Sequence, residues 1–172
     1  MCEQNDLQCL FDRRTVRHFT DEPVSRATLD ELCEAARWAP SGINNQPWRF
    51  VTVESKDKLV ELAGLTKSAK VLKSCTAAIA VFLDTPKIYH RDKDVQSIGA
   101  ALENILLAAH TKGLGSCWLG EILNRRKEAE RVLNADNTLE LMAVVALGYP
   151  DPDDTSPRTG RTGLDSLIVG RL

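Results

Sequence analysis

The stretch "AARWAPSGINNQPWRFVTV", residues 35–53, changes character twice. Its start closes an amphipathic helix: "SRATLDELCEAARWA" repeats Leu29, Leu32, Cys33 and Ala36 on one face, offers Thr28 as a cap and must stop before Pro40. Its end, "WRFVTVE", alternates β-branched and aromatic residues as a strand does. Between them lie two prolines, a glycine, two adjacent asparagines and a glutamine. A turn uses such residues one or two at a time, each for a single dihedral problem. The surplus here is amide side chains, whose donors and acceptors an ordinary connection does not need.

Working outward, helix and strand patterns alternate without repeats or low-complexity tracts. "NDLQCLFDRRTV" reads as a short helix ending close to its arginines, and "KDKLVELAGL" and "SAKVLKSC" as short helices. "TAAIAVFLD" is a nearly unbroken apolar run, the pattern of a buried strand. "VQSIGAALENILLAAHTKGLG" predicts a long helix from about Val95, apolar almost all round and so buried on several sides. Gly113 and Gly115 are expected to end it through left-handed dihedrals. "SCWLGEIL", a charged helix "NRRKEAERVL" and a strand "ELMAVVALGYP" follow. The tail "DPDDTSPRTGRTGLDSLIVGRL" carries turn formers and arginines, and is expected to wrap over something rather than fold alone.

At 172 residues and 43% hydrophobic, the chain suits one compact domain spanning residues 1–172. Its 22 basic and 24 acidic side chains leave a formal charge of −2, which offers nucleic acid or an acidic membrane no net attraction. No apolar run reaches membrane-spanning length, and "MCEQNDLQCLFDRR" lacks the basic start and apolar stretch of a signal peptide, so a cytoplasmic location is expected. The cysteines Cys2, Cys9, Cys33, Cys75 and Cys117 form no CxxC pair and match no zinc spacing, and their odd number argues against a disulfide framework. His18, His90 and His110 are too scattered to build a metal site.

Four segments carry residues suited to chemistry. In "RRTVR", Arg13, Arg14 and Arg17 surround Thr15 and can offer guanidinium forks and a hydroxyl to a phosphate. A solvated basic face is the plainer reading of the same residues. The second segment is the amide-rich loop. In "GLGSCWLGE", residues 113–121, glycines could cap a helix and turn a strand, or let a flat ligand lie on backbone amides. "RTGR", residues 158–161, is the weakest signal, because arginines on an exposed tail are commonplace.

In order and spacing these segments resemble the nitroreductase family of FMN-dependent oxidoreductases. "RRTVRHF", "AARWAPSGINNQPWRFVTV", "AALENILLAAHTKGLGSCWLG" and "ALGYP" match its pattern in register. The resemblance implies an α+β fold with a central, mostly antiparallel sheet flanked by helices, and a C-terminal tail wrapped onto the partner of a homodimer. It implies that Arg13 and Thr15, with Arg14 nearby, bind the FMN phosphate and ribityl. Arg17 would lie at the flavin pyrimidine edge, where its charge would stabilise reduced flavin and raise the reduction potential. Pro40, Ser41, Gly42 and Asn44, with Gln46 behind them, match the loop that reaches the flavin from the partner subunit. Leu119 and Gly120 match the place where a backbone N–H meets flavin N5. Arg161, helped by Arg158, would close on the phosphate, and either Lys67 or Lys70 would contact the flavin.

The activity so implied needs no catalytic side chain. FMN would take hydride from NADH or NADPH at N5 and pass electrons to a nitroaromatic, quinone or similar acceptor in ping-pong fashion. The segment "TPKIYHRDKD" is short where longer relatives insert substrate-covering helices, so Tyr89 or His90 could line an open pocket. Two other readings use the same residues: an FMN carrier or sensor without efficient turnover, and a charged docking face for a protein partner.

Overall fold

The computed structural model describes residues 7–155 and 159–172. Among these residues six α-helices and four strands follow in the order α1 (Gln8–Asp12), α2 (Arg26–Arg37), β1 (Trp48–Val53), α3 (Lys56–Ala63), α4 (Ala69–Ser74), β2 (Ala77–Asp84), α5 (Arg91–Thr111), β3 (Gly115–Leu119), α6 (Arg126–Val132) and β4 (Leu139–Gly148), with short 3₁₀ turns between some of them. The strands form one sheet in the order β1-β2-β4-β3, antiparallel at every pairing. The fold is α+β, as expected.

Helices cover both faces of the sheet. Along β2 the side chains alternate: Ala77, Ile79, Val81 and Leu83 pack toward α2 and α5, while Ala78, Ala80 and Phe82 pack toward α3, α4 and α6. A strand buried on both faces needs no polar alternation, which explains its unbroken apolar run. Opposite it, β4 carries one extra residue at Met142, because Val81 pairs with Ala143 and Phe82 with Leu141. This β-bulge reverses the phase of β4, so that Leu141 faces one core and Ala143 the other.

The structure moves two expected helix boundaries. Ser25, not Thr28, caps α2: its extended backbone lets Oγ accept the Thr28 N–H at 3.1 Å, while Thr28 already lies in the first turn. The long helix α5 begins at Arg91, four residues before the expected start, because Asp94 ties its first turn down. Its buried face holds Ile98, Ala101, Leu102, Ile105 and Ala109, and Asn104 Nδ2 donates to Ala35 O of α2 at 3.0 Å.

Gly113 has φ +74°, the expected left-handed turn after α5. Gly115 serves another purpose. It sits inside β3, where an added Cβ would stand 2.7 Å from Val16 Cγ1, and its register partner Gly148 would meet Phe19 Cβ at 2.9 Å. The two glycines thus form a slot for the segment carrying the arginines. Val16 N donates to Ser116 O at 3.0 Å, Thr20 N donates to Tyr149 O at 2.9 Å, and bridges join Thr15 to Ser116 and Phe19 to Pro150.

Gly115→Ala should therefore destabilise the fold by about 1–3 kcal/mol through overpacking. Urea unfolding should show a lower midpoint at unchanged slope, and Val16→Ala in the same chain should recover part of the loss. Additive effects of the two substitutions would show that they do not meet.

Candidate functional site

The 13–17 segment meets β3 along the slot. Arg13 is mostly buried, with Nε 3.2 Å from Glu103 Oε1 of α5. That contact is an ion pair without an aligned hydrogen bond, since Arg13 Nε and Arg14 Nε are both buried with no hydrogen-bond partner. Arg14 turns back on its own chain, where its Nη1 donates to Arg13 O at 2.7 Å and to Phe11 O. Buried guanidinium donors without acceptors are costly unless an acceptor completes them. Thr15 and Arg17 are exposed beside β3. Burial pushes the Cys117 thiol up and the Arg17 charge opposes it, which places Arg17 near the strand that ends at Leu119.

Beyond Leu119 and Gly120 the chain enters a 3₁₀ turn at Glu121–Arg125. Glu121 Oε2 accepts from Thr66 Oγ1 at 2.6 Å and from Lys67 N at 2.7 Å, and its Oε1 accepts from Asn124 Nδ2 at 3.1 Å. These bonds, Thr66 first, hold the carboxyl below the usual carboxylate range. Glu121 thereby fixes the segment bearing Lys67, and α4 bearing Lys70, against Gly120. Both lysines are exposed, so both remain available to a ligand there.

The amide-rich loop is built under strain. Ile43, Asn44 and Gln46 have φ of 48°, 58° and 48°. A β-branched residue in that region is an outlier, and such strain, about 1–3 kcal/mol per residue, persists only where surroundings over-determine it. Here Ser41 Oγ accepts from Gln46 N at 3.0 Å, and Asn45 Nδ2 donates to Lys87 O at 3.0 Å and to Asp94 Oδ1 at 2.7 Å. Asp94 is fully buried, and its Oδ2 also accepts from Tyr89 N at 2.9 Å and His90 N at 3.0 Å. One carboxylate therefore joins the loop, the 85–90 connection and the first turn of α5. Trp38 and Ile43 project from this region with 75% and 78% of their surface exposed.

The structure thus lays Thr15 and Val16 on β3 at Ser116 and sets Arg17 near Cys117, with Leu119 and Gly120 farther along, while Pro40, Ser41, Gly42, Asn44 and Gln46 lie on a separate loop. Arg13 meets α5 at Glu103 and the loop meets it at Asp94. Those anchors are nine residues apart, roughly 14 Å along the helix axis. Arg161 lies on an exposed tail with no hydrogen bond or ion pair to the 13–17 segment among the described residues, and Arg158 lies outside the described residues. Sequence reasoning missed Glu121, Asp94 and Asn45 as positioning residues. Glu121 directly follows the glycine motif, but its partner Thr66 lies 55 positions away, and no local pattern announces that pairing. Cys33 and Cys75 are structural, each pushed up to about 11 chiefly by burial. Among the described residues no cluster could hold a metal, and no helix is long and apolar enough to cross a membrane.

The nitroreductase family model matches residues 10–82 and 64–149. A protein of Archaeoglobus fulgidus named NADH dehydrogenase/NAD(P)H nitroreductase is 36% identical over 148 residues, covering 84% of each chain. The solved structure of a nitroreductase from Desulfovibrio desulfuricans in complex with FMN superposes at a TM-score of 0.90, with 37% identity and 99% of both chains covered. A structure named NADH oxidase from Clostridium acetobutylicum superposes at 0.85 with 29% identity, covering 95% of this chain and 99% of that one. The antiparallel α+β core is the fold of these nitroreductases. The chain belongs to the nitroreductase family.

Desolvation alone would raise the Asp94 pKa, but bonds from Asn45, His90 and Tyr89 more than offset it and lower it. A depressed folded pKa contributes stability above the unfolded value of about 3.9, and that contribution is lost as pH falls through the lower folded value. Asp94→Asn should lower the urea midpoint at pH 7 and flatten its fall below about pH 4. Parallel acid-limb profiles for both proteins would show that Asp94 is not the group responsible.

Proposed function

We propose that this protein is an FMN-dependent oxidoreductase that uses NADH or NADPH to reduce nitroaromatic, quinone or similar acceptors in a ping-pong cycle. The observation that carries the reading is the pair of buried arginine donors beside an exposed threonine: Arg14 Nε has no hydrogen-bond partner, and Arg13 Nε has only an unaligned ion pair with Glu103. A phosphate would complete them, so the residues present fit FMN. When bound, FMN supplies two-electron chemistry, accepting at N5 what the nicotinamide donates.

Each residue then has a defined task. Arg13 and Thr15 hold the phosphate and ribityl end, with Arg14 shaping the turn beneath them. Arg17 places a positive charge at the pyrimidine edge and favours the reduced cofactor. The backbone N–H at Leu119 or Gly120 meets N5, and Glu121 keeps that turn and Lys67 in place. Pro40, Ser41, Gly42, Asn44 and Gln46 come from the second subunit of a homodimer, and Arg161 of the tail closes on the phosphate. The roughly 14 Å offset along α5 between the anchors of the two groups supports this division. Exposed Phe11, Trp38, Ile43, Leu164 and Leu167 supply apolar surface for a partner to cover. A single domain working in the cytoplasm, without nucleic acid or membrane, completes the reading.

Arg13→Glu should weaken FMN binding by about 2–5 kcal/mol, and riboflavin binding much less, in fluorescence titrations of the apoprotein. Equal losses for both ligands would remove Arg13 from the phosphate. Steady-state NAD(P)H oxidation with an added quinone tests the activity itself: a yellow protein that does not turn over would be a flavin carrier.

Subunit sharing has its own test. Arg13→Glu and Asn44→Trp are each expected to abolish flavin binding as pure dimers. In a co-refolded equal mixture, about half the dimers are mixed and each mixed dimer keeps one intact site, so activity should return to about a quarter of wild type. A mixture that remains colourless after verified subunit exchange would place both segments in one chain's site.

A further inference from the structure

A cavity of about 300 Å³ opens between the Pro40–Gly42 bend and the first turns of α5. Pro40 and Ala100 give it apolar walls, while Gln96 and Lys93 bring polar groups. Lys93 is a cation without a carboxylate. Its Nζ bonds to Tyr89 Oη at 2.8 Å and sits 4.9 Å from the Tyr89 ring centroid, and no ion pair to it exists among the described residues. The acidic groups nearby do not compensate it. Asp94 is occupied by Asn45, Tyr89 N and His90 N, and Asp92 is an immediate neighbour of Lys93 on the helix, where adjacent side chains do not face each other.

Tyr89 is set in place by the absence of a side chain at Gly42, where an added Cβ would stand 2.7 Å from Tyr89 Cε1. The bend read above as the cofactor loop thus leaves room for the ring that holds the lysine.

We propose that this cavity is the acceptor subsite and that Lys93 selects aromatic acceptors bearing a carboxylate or a similar anionic group; the assignment rests on the reading of residues 40–46 as the flavin-facing loop. The volume lies at the lower end for small-molecule pockets, which suits one substituted ring rather than a dinucleotide. The apolar walls hold the ring, and the ammonium, oriented by the phenol, meets the anion.

The test compares 4-nitrobenzoate with its neutral isostere 4-nitrobenzamide, titrated calorimetrically into the FMN-loaded protein at low salt. Wild type should bind the anion about tenfold more tightly, a difference of about 1.4 kcal/mol. Lys93→Met should reduce the ratio to about twofold or less, and Lys93→Glu should invert it. Lys93 is exposed, so both variants should fold, which circular dichroism checks. Equal affinities in wild type, a ratio unchanged by Lys93→Met, or no binding of either compound would each overturn the subsite. Kinetics separate it from the broader reading. Selective binding without NAD(P)H oxidation would sink the redox function and leave the subsite standing, whereas turnover without charge selectivity would do the reverse. If Lys93→Met raised KM for NAD(P)H alone, the lysine would belong to the donor and the proposal would fail.

Discussion

The arrangement depends on two missing side chains. Gly115 and Gly148 face each other across β3 and β4, and the space they leave admits Val16 and Phe19. Without that close approach the 13–20 segment could not bond to Ser116 and Tyr149, and its arginines would be an ordinary charged surface. The sheet edge therefore does for the arginine segment what sequence proximity alone cannot: it sets Thr15 against Ser116, on a strand that ends at Leu119. The same packing buries Arg13 and Arg14 far enough to leave their Nε donors without water, so the cost of the site is already present in the fold.

A second constraint acts through Asp94. Left-handed dihedrals at Ile43, Asn44 and Gln46 would relax if the loop were free, and Asn45 prevents this by bonding at once to Lys87 O and Asp94. Because Asp94 also holds Tyr89 N and His90 N, the loop and the 85–90 connection cannot move independently. Helix α5 then serves as a rule between the two groups of residues, with Asp94 near one end and Glu103 farther along. Its rigidity turns the question of whether the site is shared between subunits into one of length.

Much of this was legible in the sequence. Periodicity located the sheet and the long helix, since a two-faced core demands the unbroken run in β2 and the apolar stripe of α5. The amide-rich loop was recognisable from its surplus of turn formers. The misread positions have physical causes. Gly115 resembles a helix terminator until Val16, 99 positions earlier, is found above it. Thr28 and Ser25 are both competent caps, and only the backbone conformation decides between them. Asp94 looked like part of a charged connection because its three donors come from a loop, a turn and a cap that no local window joins. Asn45 was passed over as one amide among several, although it is the one whose bonds hold the others in place.

The short connection between β2 and α5 gives the cavity beside Gly42 its character. Residues 85–90 between β2 and α5 hold only a single 3₁₀ turn at Thr85–Lys87, and among the described residues the lining of the cavity comes from the loop and from α5 itself. Tyr89 reaches the bend because Gly42 has no Cβ, and Lys93, one helical turn on, reaches Tyr89. Gly42 is thus read by two neighbours: the bend it permits would face the cofactor, and the ring it admits orients Lys93, the cation lining the cavity among the described residues. A side chain at position 42 would have to displace that ring, disturbing both sides of the cavity at once. On the proposed assignments, cofactor approach and acceptor selection would therefore not be separable properties of this loop.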